Sequence, residues 1–401
     1  MIPYGRQSVS PADVDAVCSV LGSDYLTTGP LVVEFERRFA QTVGAKHAIA
    51  VCNGTAALHL AMLVAGIGPG DRVVTTPNTF LASANCAAYV GAVPDFCDID
   101  SVSYNLCPKA LAENWMPDTK AVVAVDYAGQ SADMPAIAEV ARSRGGVVVE
   151  DACHAVGGAF ERDGQVWRVG GHPWADITTF SFHPVKTMTT GEGGMLVTDN
   201  DEYADRARTL RTHGILRDSD RFTGLGDPAL DERGPWYHEM QHLGYNYRIT
   251  DFQCALGSSQ LSRLDEFVRK RRTIVDAYNT AFGSLRCVRI PGLRNLADRD
   301  LISWHLYTLQ IDFESLETTR SEFMSSLRAC GVGSQVLYIP VHLQPWYRKQ
   351  FGYGKGKCPS AESLYCRSLS LPLFPSMTDS EVALVIEAVQ QIVGRDESRC
   401  G

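Results

Sequence analysis

Several marks of common protein classes are missing from this sequence. Its 12 cysteines, spread from Cys18 to Cys400, include no C-x-x-C pair, so neither a metal knuckle nor a secreted disulfide framework is supported, and no metal site is expected. Reduced thiols in a cytoplasm fit better. No apolar run approaches the roughly 18 residues that a membrane helix needs, and the opening MIPYGRQSVS lacks the basic start and apolar stretch of a signal peptide. A soluble, cytoplasmic protein without a membrane partner is expected. Positive charge is not in excess: 37 Lys and Arg face 46 Asp and Glu, a net charge of -9. Nucleic-acid surfaces carry clustered Lys and Arg, so that partner is disfavoured, while a small anionic ligand held by a few local donors stays open. The first strand and helix also lack the G-x-G-x-x-G fingerprint that a Rossmann dehydrogenase would show.

What is present is ordinary for a globular enzyme: 45% hydrophobic and 21% charged residues, with 35 Gly and 19 Pro among 401. A chain this long exceeds what one core usually serves, so two domains are expected. From Ala45 to Val197, β-rich runs (HAIAV, RVVTT, PDFCDI, AVVAVDY, GGVVVED) alternate with helical stretches (TAALHLAMLVAG, TFLASANCAAYVGA, MPAIAEVARSRG). That rhythm predicts an α/β domain over 1–250, with helices packed on a mostly parallel sheet. After GPWYHEMQHLGYNYR, the apolar spacing of TDFQCALGSSQLSRLDEFVRKRRTIVDAYNTAF predicts one long amphipathic helix linking the domains. Strands at HLYTLQIDF and SQVLYIP, with helices at ESLETTRSEFMSSLRACG and SEVALVIEAVQQIV, predict a smaller α+β domain over 251–401.

Three motifs carry chemistry. Asn53-Gly54-Thr55 follows a strand and opens a helix, where free N–H groups, a glycine and a hydroxyl favour a phosphate; alone it reads first as a helix cap. Glu150-Asp151-Ala152-Cys153-His154 puts a carboxylate at the C-terminal end of a buried strand, the edge where parallel sheets bind ligands. Asp151 could hold a pyridine nitrogen protonated or could equally be a helix cap. Ser181-Phe182-His183-Pro184-Val185-Lys186 runs from an apolar strand to the turn T-T-G-E-G-G. In that setting an amine can be desolvated for attack on an aldehyde, with Ser181 as a further phosphate donor. Cys153 shows no charged partner and reads as small core packing, and His305 as a satisfied buried histidine.

In this order, N-G-T, E-D-x-x-H and S-F-H-P-x-K-x-x-T-T-G-E-G-G make the chain resemble the DegT/DnrJ/EryC1/StrS family of nucleotide-sugar aminotransferases, which depend on pyridoxal 5'-phosphate (PLP). The resemblance runs nearly end to end, from IPYG and SDYLTTGP to HLQPWY and LSLPLFP. It implies the aspartate aminotransferase fold, PLP fold type I. VDYAGQ, RTHGI and GPWYHEMQHLGYNYR are similar to the UDP-sugar 4-aminotransferases of pseudaminic acid biosynthesis. The family's dehydratase branch carries His where this chain has Lys186.

The resemblance implies that Lys186 holds the cofactor as a Schiff base and, once released, moves the proton. Asp151 would pair with the pyridine nitrogen, His154 lie near the phenolic oxygen and Phe80 stack on the ring, with Gly54, Thr55 and Ser181 on the phosphate. Asn246 would reach the phosphate of a neighbouring subunit and Arg248 would also cross the interface, which implies a homodimer with shared active sites. Substrate positions would be Tyr4, the turn Asp24-Tyr25-Leu26-Thr27, His183, Arg248 and the strand Gln335-Val336-Leu337-Tyr338. From spacing alone, Tyr4 reads equally as N-terminal packing, Asn246 and Arg248 as a polar turn, and the aromatics of HLQPWY as core or interface. The expected reaction takes an amino group from L-glutamate to the C4 keto group of a UDP-4-keto-6-deoxy-N-acetylhexosamine. The rivals are the same chemistry on a dTDP- or GDP-4-keto sugar or a 3-keto sugar, and a non-catalytic PLP-binding regulator, against which Lys186 counts.

Overall fold

A computed structural model describes residues 1–227, 230 and 233–397. The apolar runs between His47 and Thr198 form a seven-stranded sheet. Across it the strands lie in the order His47–Val51, Gly194–Thr198, Ile177–Ser181, Val147–Asp151, Thr119–Val125, Arg72–Thr75, Val93–Phe96. Six of these point the same way, five of them paired parallel side by side, and Gly194–Thr198 is antiparallel to both of its neighbours. Val148, Val149, Val122 and Val123 are wholly buried, as expected of strands with helices on both faces. The helix Met134–Arg142 supplies one crossover, capped by Asp133, whose side chain accepts from the Ala136 N–H. The sheet is that of an α/β protein of PLP fold type I.

Tyr307–Ile311 is the middle of a separate antiparallel sheet, between Val288–Arg289 and Ser368–Leu371. It packs with the helices Arg320–Ala329 and Asp379–Glu397 around a second core containing Leu309, Leu369, Leu327 and Val385. The helix Leu264–Phe282 spans both cores. Leu264 and Val268 pack with the large sheet's Phe180, while Tyr278 and Phe282 pack with Tyr307. Among the described residues no helix is long and apolar enough to cross a membrane.

Two expectations fail. The long linking helix is two, Asp251–Leu261 and Leu264–Phe282, because the chain tightens at Ser262 and Arg263, whose N–H groups reach back three residues to Ser259 and Gln260. The break turns the first helix onto the N-terminal helix Pro11–Leu21, where buried Asp13 accepts from Ser259, Gln260 and Arg263. Gln335–Tyr338 is not a strand: it makes a single bridge, Gln335 to Ser370. Farther along, the Leu337 carbonyl accepts from the Tyr127 hydroxyl at 2.7 Å instead of from a neighbouring strand.

Candidate active site

A cavity of about 510 Å³ opens at the C-terminal edge of the parallel strands, the edge at which such sheets bind ligands. Two glycines let its walls meet. Gly194 lies opposite both Val51 and Ser181, and a Cβ there would come 2.5 Å from the Asn53 carbonyl carbon. At Gly54 a Cβ would meet Ser181 Cβ at 3.0 Å and Cys153 Sγ at 3.2 Å. Both glycines therefore set how closely the start of the helix Gly54–Val64 approaches the strand ends. Asn53 caps that helix by accepting from the Ala56 N–H at 2.8 Å, and its carbonyl takes the Ala57 N–H. The Gly54 and Thr55 N–H groups, in the first turn, have no carbonyl within the helix to meet.

Lys186 borders this cavity together with Asp151, His154 and Ser181. Burial holds the Lys186 amine below the ordinary lysine range, against an opposing pull from Cys153 and Asp151. Asp151 ends its strand with both oxygens occupied: Oδ2 accepts from Ser83 Oγ at 2.6 Å and Oδ1 from the Cys153 N–H at 3.2 Å. Ser83 is bonded in turn to Thr79 Oγ1 at 2.7 Å. His154 Nδ1 accepts from the Ala128 N–H at 3.3 Å, which puts the imidazole proton on Nε2, 3.1 Å from the Tyr338 hydroxyl. Burial first, then the Lys186 charge, holds His154 well below the usual histidine range.

Of the remaining sequence candidates, Gly54, Thr55, Phe80, Tyr4, His183, Leu337 and Tyr338 also border the cavity. Phe80 is exposed at the rim, its ring centre 6.2 Å from that of Tyr338. Tyr4 is held across the opening because Ile2 pairs with Gly331 and Gly333, and the Tyr4 carbonyl takes the Leu373 N–H. Gln335 and Val336 do not line it. Asp24, Tyr25, Leu26 and Thr27 form an exposed turn, tied to the helix Asp251–Leu261 through the Asp251 N–H on the Leu26 carbonyl. Asn246 is exposed and Arg248 half-buried, and neither borders the cavity of a single chain. Their segment nevertheless runs beside Asn53, since the Tyr247 carbonyl accepts from the Cys52 N–H.

Other residues are placed differently from their sequence reading. Cys153 borders the cavity under Gly54 instead of filling a core, and burial followed by Asp151 holds its thiol protonated, well above the usual range. His305 is not satisfied: its buried Nδ1 has no partner, and its ring centre lies 4.4 Å from that of His154. His342 and Tyr347 are core, bonded to Glu362 and Asn85, while Trp346 is exposed. Ser83, Thr79, Tyr127 and Glu192 were not singled out beforehand. Thr79 and Ser83 flank Phe80 within N-T-F-L-A-S, Thr79 in the bend before the helix Ala82–Tyr89 and Ser83 in its first turn. Tyr127 lies in VDYAGQ and Glu192 in T-T-G-E-G-G, motifs that carry the family resemblance without giving either residue a role.

A desolvated lysine, a carboxylate at a strand end and a helix N-terminus around one cavity, on a type I fold, define a PLP-dependent aminotransferase. The chain belongs to the DegT/DnrJ/EryC1/StrS aminotransferase family, whose model matches residues 7–390. It is 43% identical to the spore coat polysaccharide biosynthesis protein SpsC of Bacillus subtilis, over 98% of this chain and 97% of that one. Among solved structures it resembles Helicobacter pylori PseC, an aminotransferase of pseudoaminic acid biosynthesis, with 27% identity, TM-score 0.87 and coverage of 98% and 99%. It also resembles the PLP form of Spr1654 from Streptococcus pneumoniae, with 26% identity, TM-score 0.87 and coverage of 98% and 99%.

Proposed function

We propose that the chain transfers an amino group from L-glutamate to the C4 keto carbon of a UDP-4-keto-6-deoxy-N-acetylhexosamine, giving a UDP-4-amino-4,6-dideoxy sugar, as a cytoplasmic homodimer whose subunits complete each other's sites. The observation that carries the reading is the Lys186 amine, held below the ordinary lysine range by burial and set in one cavity with Asp151 and the start of the helix Gly54–Val64.

The residues fit PLP. The Gly54 and Thr55 N–H groups and the Ser181 hydroxyl would hold its phosphate in the cradle that a Cβ at Gly54 would fill. Phe80 would cover the ring, and Asp151 would pair with the ring nitrogen. Bound PLP supplies an aldehyde carbon that condenses with amines and a protonated ring that withdraws electrons. Lys186 Nζ, its proton affinity lowered by burial, would take the proton from the α-carbon of L-glutamate and in the second half-reaction give a proton to C4 of the sugar. Ser83 and the Cys153 N–H fix the Asp151 carboxylate so that its orientation needs no rearrangement as charge develops. His154, neutral with its Nε2 proton toward Tyr338, orients without adding a positive charge beside Lys186. Asn246 and Arg248, outside the single-chain cavity, are the residues a second subunit would bring.

A second reading keeps the chemistry and changes the sugar to another nucleotide-linked keto sugar. It is favoured by the higher identity to SpsC, 43%, than to PseC, 27%. The test follows the visible absorbance of the holoenzyme as L-glutamate and then candidate keto sugars are added. Bleaching by glutamate and recovery with the UDP-N-acetyl sugar supports the first reading. Recovery only with a dTDP- or GDP-sugar supports the second, and no bleaching by glutamate overturns the donor.

A further inference from the structure

Alternate residues of a strand face opposite sides of the sheet, so the strand that presents Asp151 to the cavity turns Glu150 the other way, into a buried polar cluster that the reaction does not use. The Glu150 side chain is fully buried. Its Oε1 lies 2.9 Å from His172 Nε2 and its Oε2 2.9 Å from Thr178 Oγ1. His172 Nδ1 accepts from the Trp174 N–H at 3.3 Å, so the ring proton is on Nε2 and is donated to Glu150. Both Glu150 oxygens thus already accept from neutral donors.

Asp126, at the end of the adjacent strand, is also fully buried. Its Oδ1 accepts from the Ala132 N–H at 2.8 Å, whereas its Oδ2 has no donor. Ala124 pairs with Glu150, so Asp126, two residues on, lies on the Glu150 face of the sheet, where the two carboxyl groups act on each other. With the Ala132, His172 and Thr178 hydrogens assigned, ionised Asp126 would set a second carboxylate beside Glu150 with no donor for its Oδ2. Like charges at such a site cannot both persist.

We propose that Asp126 is a neutral acid whose Oδ2 proton is donated to Glu150, and that this bond positions the turn 126–132 beneath His154. Burial pushes the Asp126 acid well above the usual carboxylate range; the Glu150 and Asp151 charges add to this, while the Ala132 N–H opposes it. The turn bends through Ala128 and Gly129, both left-handed at φ 60° and 97°. It delivers the Ala128 N–H to His154 Nδ1 and the Tyr127 hydroxyl to the Leu337 carbonyl. Asp126 is therefore a positioning residue. It acts on the site through the tautomer of His154 and through the segment that carries Tyr338.

The test compares the holoenzyme with D126N, D126A and E150Q. Asn at 126 keeps an acceptor for Ala132 and an N–H for Glu150, so D126N retains kcat within about threefold, whereas D126A loses about tenfold with KM for L-glutamate little changed. E150Q puts an amide NH2 where an acceptor is required and lowers the melting temperature more than D126N does. Infrared spectra give a readout independent of the reaction: the carbonyl stretch of a buried carboxylic acid is present in the wild type and absent in D126N. The proposal is overturned if that band survives in D126N, if D126N is as damaged as D126A, or if E150Q is tolerated better than D126N. The infrared readout stands even if the donor or sugar assigned above is wrong, so the two failures are distinguishable.

Discussion

Two strands end deep in the molecule with opposite consequences. Val147–Asp151 runs parallel to both of its neighbours, and its last residue presents a carboxylate to the cavity. Ser368–Leu371 is antiparallel to Tyr307–Ile311 and runs on into the second core. There the Pro372 carbonyl accepts from Tyr278 at 3.0 Å and the Leu373 carbonyl from the buried Arg271 guanidinium at 2.8 Å. In a parallel sheet the strand ends and helix starts gather at one edge, so cofactor-binding groups from distant sequence meet there. An antiparallel sheet spreads its ends over both edges, and this one serves as a core.

Substitutions at the first edge should therefore remove chemistry and spare the fold, and those in the second sheet the reverse. The largest effect belongs to Lys186→Ala, which should lower kcat by about 10³-fold or more while the melting temperature of the purified protein holds. Leu309→Ala, in the middle strand of the small sheet, should cost about 2–5 kcal/mol in denaturant titrations and leave kcat per folded molecule unchanged. A loss of chemistry there without a loss of stability would break the comparison. Ser83→Ala removes a hydrogen bond to the Asp151 carboxylate, worth about 1.5–3 kcal/mol, and should reduce kcat/KM by roughly tenfold or more with the fold intact.

The smallest effect concerns pH. Because burial holds the Lys186 amine below its ordinary range, the unfolded chain binds that proton more tightly than the folded one. Stability of the cofactor-free protein should then rise with pH, from the depressed value up to the ordinary lysine range. Lys186→Met should flatten that slope and gain most at the acid end, which urea titrations at a series of pH values would measure.

The same contrast explains what the sequence revealed. The parallel edge was legible because its strands are apolar runs punctuated by chemical residues, as in VVVED followed by A-C-H, and because Gly54 and Gly194 occupy places where a side chain would collide. Thr79 and Ser83 were within reach, in a motif read only for Phe80. The opposite wall was not legible. Val336 to Ile339 has the composition of a strand, yet its Leu337 carbonyl is claimed by a tyrosine 210 residues earlier in the chain, and no local pattern encodes that. The helix break at Ser262 was hidden because its apolar spacing continues across the turn. The partner lost by His305 Nδ1, and the pairing of Asp126 with Glu150, depend on neighbours that only the folded chain assembles.

The central claim is that Lys186 holds the cofactor, and the most direct measurement is to reduce the PLP-loaded protein with borohydride, digest it and locate the added mass. A single modified peptide with the mass on Lys186, and none in Lys186→Ala, is the result expected. A modification mapped to another lysine, or no modification of the wild type, would contradict it.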